Sequence, residues 1–113
     1  MDVVAALIKL KPNSQDRVRE WAEAVNRRKD EALATLSDEG VVMESWFQVK
    51  VDGQDYLLCF MRCESIEQAR QSGKTSQYAI DAYHKQFQAE TWVAGTNISG
   101  TLLVDLVAAK KGR

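Results

Sequence analysis

The feature that most constrains this chain is a set of short runs that are oily on both of their alternating faces. In "VVAALIKL" (residues 3 to 10), Val4, Ala6, Ile8 and Leu10 occupy one phase, and Val3, Ala5 and Leu7 the other. In "YLLCFMR" (56 to 62), Leu58 and Phe60 oppose Leu57, Cys59 and Met61. In "TLLVDLVAA" (101 to 109), Leu102, Val104 and Leu106 oppose Leu103 and Val107. A strand with one wet face alternates apolar with polar residues, so runs of this kind predict a sheet covered on both sides.

The remaining punctuation places the other elements. "KPNSQD" ends the first strand and offers Asn13 or Ser14 as a helix N-cap, with Asp16 in the first turn. Val18, Trp21, Ala22, Val25, Ala32, Leu33 and Leu36 then recur at helical spacing to about residue 38, where Gly40 stands as the C′ residue. "VVMESWFQV" (41 to 49) and the run at 56 to 62 flank Asp52-Gly53, a hairpin signature. Ser65-Ile66-Glu67-Gln68 reads as a capping box for a second helix, which "SGKTS" (72 to 76) interrupts and "QYAIDAYHKQF" resumes. With 101 to 109 as the last strand, the order is β-α-β-β-α-β, an α+β, ferredoxin-like arrangement with a four-stranded antiparallel sheet. The first and third strands lie centrally there. Glu44 and Asp105, mid-strand acids, then fall in the two edge strands.

A chain of 113 residues suits one domain over its whole length. A domain of that size buries roughly two-thirds of the surface its unfolded chain exposes, enough to fold without staples. Two helices cover only one face of four strands, so the second oily face is expected to meet another copy, giving a homodimer with sheets face to face.

The element order, the length and the paired oily faces are similar to the dimeric α+β-barrel superfamily, which includes cofactor-independent monooxygenases, haem-degrading enzymes and sugar mutarotases. More narrowly, "NRRKDEALATLSDEGVVMES" and "IDAYHKQF" resemble a small bacterial family known only as a domain of unknown function. The resemblance implies the barrel and the dimer. It brings no reaction with it, because such folds host many activities.

Charge excludes other classes. Fifteen basic against sixteen acidic residues leave a net charge of −1, so no field favours nucleic acid or anionic lipid, and "KKGR" (110 to 113) is too short a basic tail to change that. No apolar run approaches the ~20 residues that cross a bilayer. The start "MDVVAALIKL" lacks a basic n-region and does not read as a signal peptide. Cys59 and Cys63 share one strand, and at ~3.3 Å per residue their Cα atoms stand ~13 Å apart, beyond disulfide reach. Two free thiols and no export signal give a cytoplasmic expectation.

The candidate site residues lie on the helices and one edge strand. His84 is the single histidine, at the margin of the arc formed by Ala79, Ile80, Tyr83 and Phe87. Asp81, three residues earlier, is close enough to hold one imidazole nitrogen, leaving the other as an acid or base. The plain alternative is a boundary histidine with a surface partner. Lys29 projects from the middle of the first helix's apolar stripe, with Asn26 and Arg28 flanking it. A charge there snorkels out, pairs with an acid such as Glu44 or Asp105, or lines a wet cavity.

If Asn26, Lys29, Glu44, Tyr83 and His84 converge, the pocket suits a small polar or anionic metabolite. The other reading is catalytic: a cofactor-independent monooxygenase or isomerase with His84 as acid/base and Tyr83 or Asn26 positioning substrate. Whether the chain is an enzyme stays open between them. One histidine without a second nitrogen, thiolate or carboxylate set predicts no metal. No cofactor is expected either: "SGKTS" lacks the glycine and strand of a phosphate loop, and "VVAALIKL" lacks the asparagine that haem-degrading enzymes of this fold place there. Trp21, Trp46 and Trp92 read as core or interface residues.

Overall fold

The computed structural model describes residues 1–109. The "KKGR" tail lies outside them. Four strands and four helices run in the order β1 (Asp2–Lys9), α1 (Gln15–Arg27), α2 (Lys29–Glu39), β2 (Val41–Val51), β3 (Gln54–Cys63), α3 (Ile66–Thr75), α4 (Ala79–Thr91) and β4 (Ile98–Ser99). The strands form one antiparallel sheet in the order β2-β3-β1-β4, so β1 and β3 are central as expected. The architecture is the α+β, ferredoxin-like one, with each helical leg broken in two.

Local chemistry explains most boundaries. Asp52 (φ 49°) and Gly53 (φ 78°) both lie in the left-handed region, as the tight turn joining β2 to β3 requires. Gly40 ends α2 at φ 72°, its N–H donating to the carbonyls of Leu36 and Ser37. The Ser65 hydroxyl accepts the Gln68 N–H at 3.2 Å and caps α3. At the start of α1 the expected cap works differently: Ser14 holds the N-cap position, but its hydroxyl donates backwards to the Lys11 carbonyl at 2.7 Å.

Two expectations need correcting. The first helix does not run unbroken to residue 38; it breaks at Arg28 (φ −104°, ψ 36°). No proline or glycine stands there; Arg28 makes one local and one tertiary contact at the break. The Arg28 guanidinium forks onto Glu31 at 3.0 and 2.9 Å and sits 5.8 Å from the centre of the Tyr83 ring. The last strand is also shorter and earlier than 101–109. Only Ile98 and Ser99 pair with β1, followed by the Gly100 N–H on the Ala5 carbonyl at 2.8 Å. Residues 101 to 109 belong to no strand and are exposed, with Leu103 and Leu106 each 88% open. A segment oily on both phases needs cover on both sides, and one chain's helices supply it on neither. Asp105 therefore lies outside the sheet, its carboxylate on Arg62 at 2.5 Å.

Cross-strand register sorts the sheet into two faces. Val4, Ala6 and Ile8 of β1 share a face with Met61, Cys59 and Leu57 of β3 and with Glu44 and Trp46 of β2. The helices pack here: Ile8, Leu10, Val18, Trp21, Leu57, Cys59 and Phe87 make the main core, and Val41, Cys63 and Ala69 a smaller one. The opposite face carries Val3, Ala5, Leu7, Leu58, Phe60, Arg62, Met43 and Phe47, none of them buried. Met43 and Phe47 are about half exposed, and Ile98 of β4 is 59% exposed on the same side. Among the described residues, no helix packs over this second oily face.

Candidate active site between sheet and helices

A cavity of about 1020 Å³ lies between the inner face of the sheet and the helices. Its floor is Val4, Ala6, Cys59 and Met61, with Glu44 and Trp46 from β2. Its walls come from all four helices. Asn26, Lys29, Glu44, Asp81 and His84 all line it, so five of the residues singled out in the sequence come to one place. Tyr83 points elsewhere. Its hydroxyl accepts from Arg17 at 3.1 Å, and its ring lies between the Arg17 and Arg28 guanidiniums on the flank of α1.

The three tryptophans, expected as core or interface, surround His84. The ring centres of Trp21, Trp46 and Trp92 stand 5.7, 5.5 and 6.2 Å from the imidazole, and Phe87 stands 6.2 Å away. The Trp21 indole N–H donates to His84 Nδ1 at 3.1 Å. That Trp21 position is fixed from behind by stacking on Phe87 at 4.5 Å between ring centres. Burial among these rings pulls His84 down to about 4, only partly offset by the nearby Asp81 carboxylate. The imidazole is therefore neutral at pH 7. The expected Asp81–His84 hydrogen bond is not made; Asp81 accepts the Ser76 hydroxyl instead.

A second group of ionisable side chains lies along the same cavity. Glu44 accepts the Trp46 indole N–H at 3.1 Å, and burial raises its pKa despite that bond. Glu39, the last residue of α2, is pushed up to about 7, first by burial and then by the Asp81 and Glu44 carboxylates, with Lys85 opposing. The Cys59 thiol, buried beside Glu44, rises to about 12 and is inert at neutral pH. The Trp92 indole nitrogen is buried without a partner among the described residues. Around the mouth stand four exposed cations: Lys29, Arg70, Lys74 and Lys85. Asn26 is exposed there too. Chemically the arrangement offers an aromatic box, a neutral imidazole, two carboxyl groups that hold protons unusually well, and a cationic rim.

Of the cavity lining, the sequence marks Lys29 and Glu44 as charges against an apolar pattern, Asn26 as a flank of the same stripe, and His84 as the single histidine. It does not mark Glu39, an acid at a helix end beside Gly40 that looks like ordinary surface. Trp46 carried a usable signal, since it stands two residues from Glu44 and so shares its face of β2. Among the described residues no group of histidine, cysteine and carboxylate side chains is arranged to hold a metal, and no helix is long and apolar enough to cross a membrane.

The fold is shared with solved structures of low sequence similarity. L-rhamnose mutarotase from Formosa agariphila matches with a TM-score of 0.57 at 17% identity, over 96% of this chain and 100% of that one. HapK from Hahella chejuensis matches with 0.58 at 14%, over 95% and 99%. A candidate antibiotic biosynthesis monooxygenase from Nitrosomonas europaea matches with 0.54 at 15%, over 91% and 100%. At these identities the likeness establishes the ferredoxin-like α+β fold alone. No curated protein matches the chain. One family model does, across residues 1–111, and the chain accordingly belongs to that family, the Family of unknown function (DUF6176).

Proposed function

We propose that this protein binds a small polar or anionic metabolite in the cavity between sheet and helices, and that it does so as a homodimer. The observation that carries the binding reading is the convergence on one cavity of His84, ringed by three indoles, with Glu39 and Glu44. Few core residues of that polarity are left facing a void without a function, because each costs free energy unless a partner arrives. The geometry suits a ligand with a ring or other flat body against the indoles, hydroxyl groups toward the carboxyls, and any anionic group at the rim of Lys29, Arg70, Lys74 and Lys85. The dimer rests on the uncovered outer face and on the exposed apolar side chains of 101 to 109. Two free buried cysteines favour a cytoplasmic setting.

A second reading is catalytic, a cofactor-independent monooxygenase or an isomerase. It draws on the fold neighbours, which include a mutarotase and a candidate monooxygenase, and on the proton-holding Glu39 and Glu44, which line the same cavity as His84.

The test is a fragment screen on the full chain, read by amide chemical shifts. Small hydroxylated and carboxylated ring compounds are expected to move the resonances of residues 21 to 29, 44 to 46 and 81 to 92 together. Shifts scattered over the outer surface, or none from several hundred compounds, would overturn the proposal. Turnover of any bound compound that is lost in His84→Phe or Glu39→Gln would favour the catalytic reading.

A further inference from the structure

We propose that Trp21 locks His84 as the neutral Nε2–H tautomer, so that the imidazole serves the cavity as a hydrogen-bond donor and the ligand must bring an acceptor oxygen to it. This deepens the binding reading above and rests on it for the identity of the ligand group.

An indole nitrogen carries a hydrogen and has no lone pair to offer, so Trp21 Nε1 can only donate. Its partner is His84 Nδ1 at 3.1 Å, within ordinary hydrogen-bond range. Nδ1 must therefore be the bare nitrogen, which places the single proton of a neutral imidazole on Nε2. No described residue makes a hydrogen bond to Nε2, while His84 lines the cavity. Asp81 and Glu44, which line the same cavity, are engaged by the Ser76 hydroxyl and the Trp46 indole.

The consequence is a changed role. A histidine whose lone pair is taken by an indole is not a resting general base. It is a neutral donor, held among four aromatic rings, that takes an oxygen as its partner. A carbonyl, ring or hydroxyl oxygen fits. An ammonium or other group that offers only hydrogens does not, because it would set two donors against each other. Any proton exchange in the cavity then falls to the carboxyls, of which Glu39 stands nearest to neutrality. Trp21 is a positioning residue in this scheme, acting through His84.

Because the chain holds one histidine, its imidazole nitrogens can be read without ambiguity. Long-range proton–nitrogen spectra of the ligand-free full chain at pH 7 are expected to show Nε2 protonated and Nδ1 bare, with a scalar coupling across the hydrogen bond to the Trp21 indole nitrogen. Trp21→Phe is expected to release the lock and give a mixture of tautomers. A proton on Nδ1, an imidazolium at pH 7, or a folded Trp21→Phe with unchanged nitrogen shifts overturns the proposal. If that variant does not fold, the wild-type coupling decides alone.

The ligand chemistry is read with two ring probes, benzamide and toluene. Replacing His84 by Phe is expected to weaken benzamide about tenfold, the loss of one buried hydrogen bond, and to leave toluene unchanged. Equal losses for both probes, or no change for benzamide, overturn the acceptor-oxygen requirement. The tautomer measurement needs no ligand, so its failure is separate from failure of the cavity to bind anything.

Discussion

His84 and Glu39 face one cavity with opposed titrations, and stability against pH should expose both. The folded-state pKa of His84 is lowered from 6.5 to about 4. Its contribution is fully present above pH 6.5 and is lost as the pH falls toward 4, because the unfolded chain takes up a proton that the buried ring refuses. Between pH 7 and 4.5 the loss is about 2 kcal/mol. Glu39 runs the other way. Its folded pKa is raised from 4.5 to about 7, so its contribution is present at pH 4.5 and is lost as the pH rises through 7. Glu39 is only half-buried, and solvent screening trims that to about 1 kcal/mol.

The two therefore offset each other only in part, and together they should cost wild type about 1 kcal/mol as the pH falls from 7 to 4.5. Single variants separate the slopes. His84→Phe should become more stable than wild type by about 2 kcal/mol at pH 4.5 relative to pH 7, a relative shift of about 1 M in urea midpoint. Glu39→Gln should lose about 1 kcal/mol relative to wild type over the same fall. Urea titrations followed by indole fluorescence at several pH values measure both, and exposed acids cancel in the differences. Profiles of the two variants that run parallel to wild type would refute the placement of these groups in a shared, poorly solvated cavity.

Three further outcomes follow from the packing. Phe87→Ala removes the fully buried ring stacked on Trp21 and should cost about 3–5 kcal/mol in urea unfolding; a cost under about 1 kcal/mol would mean that the Trp21 wall is held by something else. Cys59, buried and shifted to about 12, should resist iodoacetamide at pH 8 in the native protein and react promptly in denaturant, and alkylation of the native thiol at the unfolded rate would contradict that burial. Gly40→Ala forces a Cβ into φ 72° and should destabilise by about 1–2 kcal/mol, with a neutral result excluding the left-handed helix end.

The legible parts of this fold were the local ones. Asp52-Gly53 specifies its turn through backbone conformations that those two residues tolerate, and Gly40 and Ser65 mark helix ends in the same way. The central strands were readable because β1 and β3 carry apolar residues on both phases. The break at Arg28 was hidden because no proline or glycine marks it and one contact made there is distant in sequence, a guanidinium resting on Tyr83 of α4. The pairing of 98–99 in place of 101–109 was hidden for a different reason: strand propensity says which residues can pair, not whether an edge and a cover exist for them within one chain. In the site, Lys29 and Glu44 stood out as charges against an apolar pattern, and His84 as the single histidine. The helical wheel put Tyr83 inward correctly, since it is half-buried, but could not say which neighbour it would meet. The aromatic box was unreadable because tryptophans on three different elements had to converge.

A four-stranded sheet with two oily faces and helices on only one must find cover for the other. Sedimentation equilibrium of the full chain at micromolar concentration measures that need most directly. A mass twice that of the chain is predicted, falling to a single chain when Phe47→Glu places a charge on the exposed face. A wild-type protein that sediments as one chain at that concentration would contradict it.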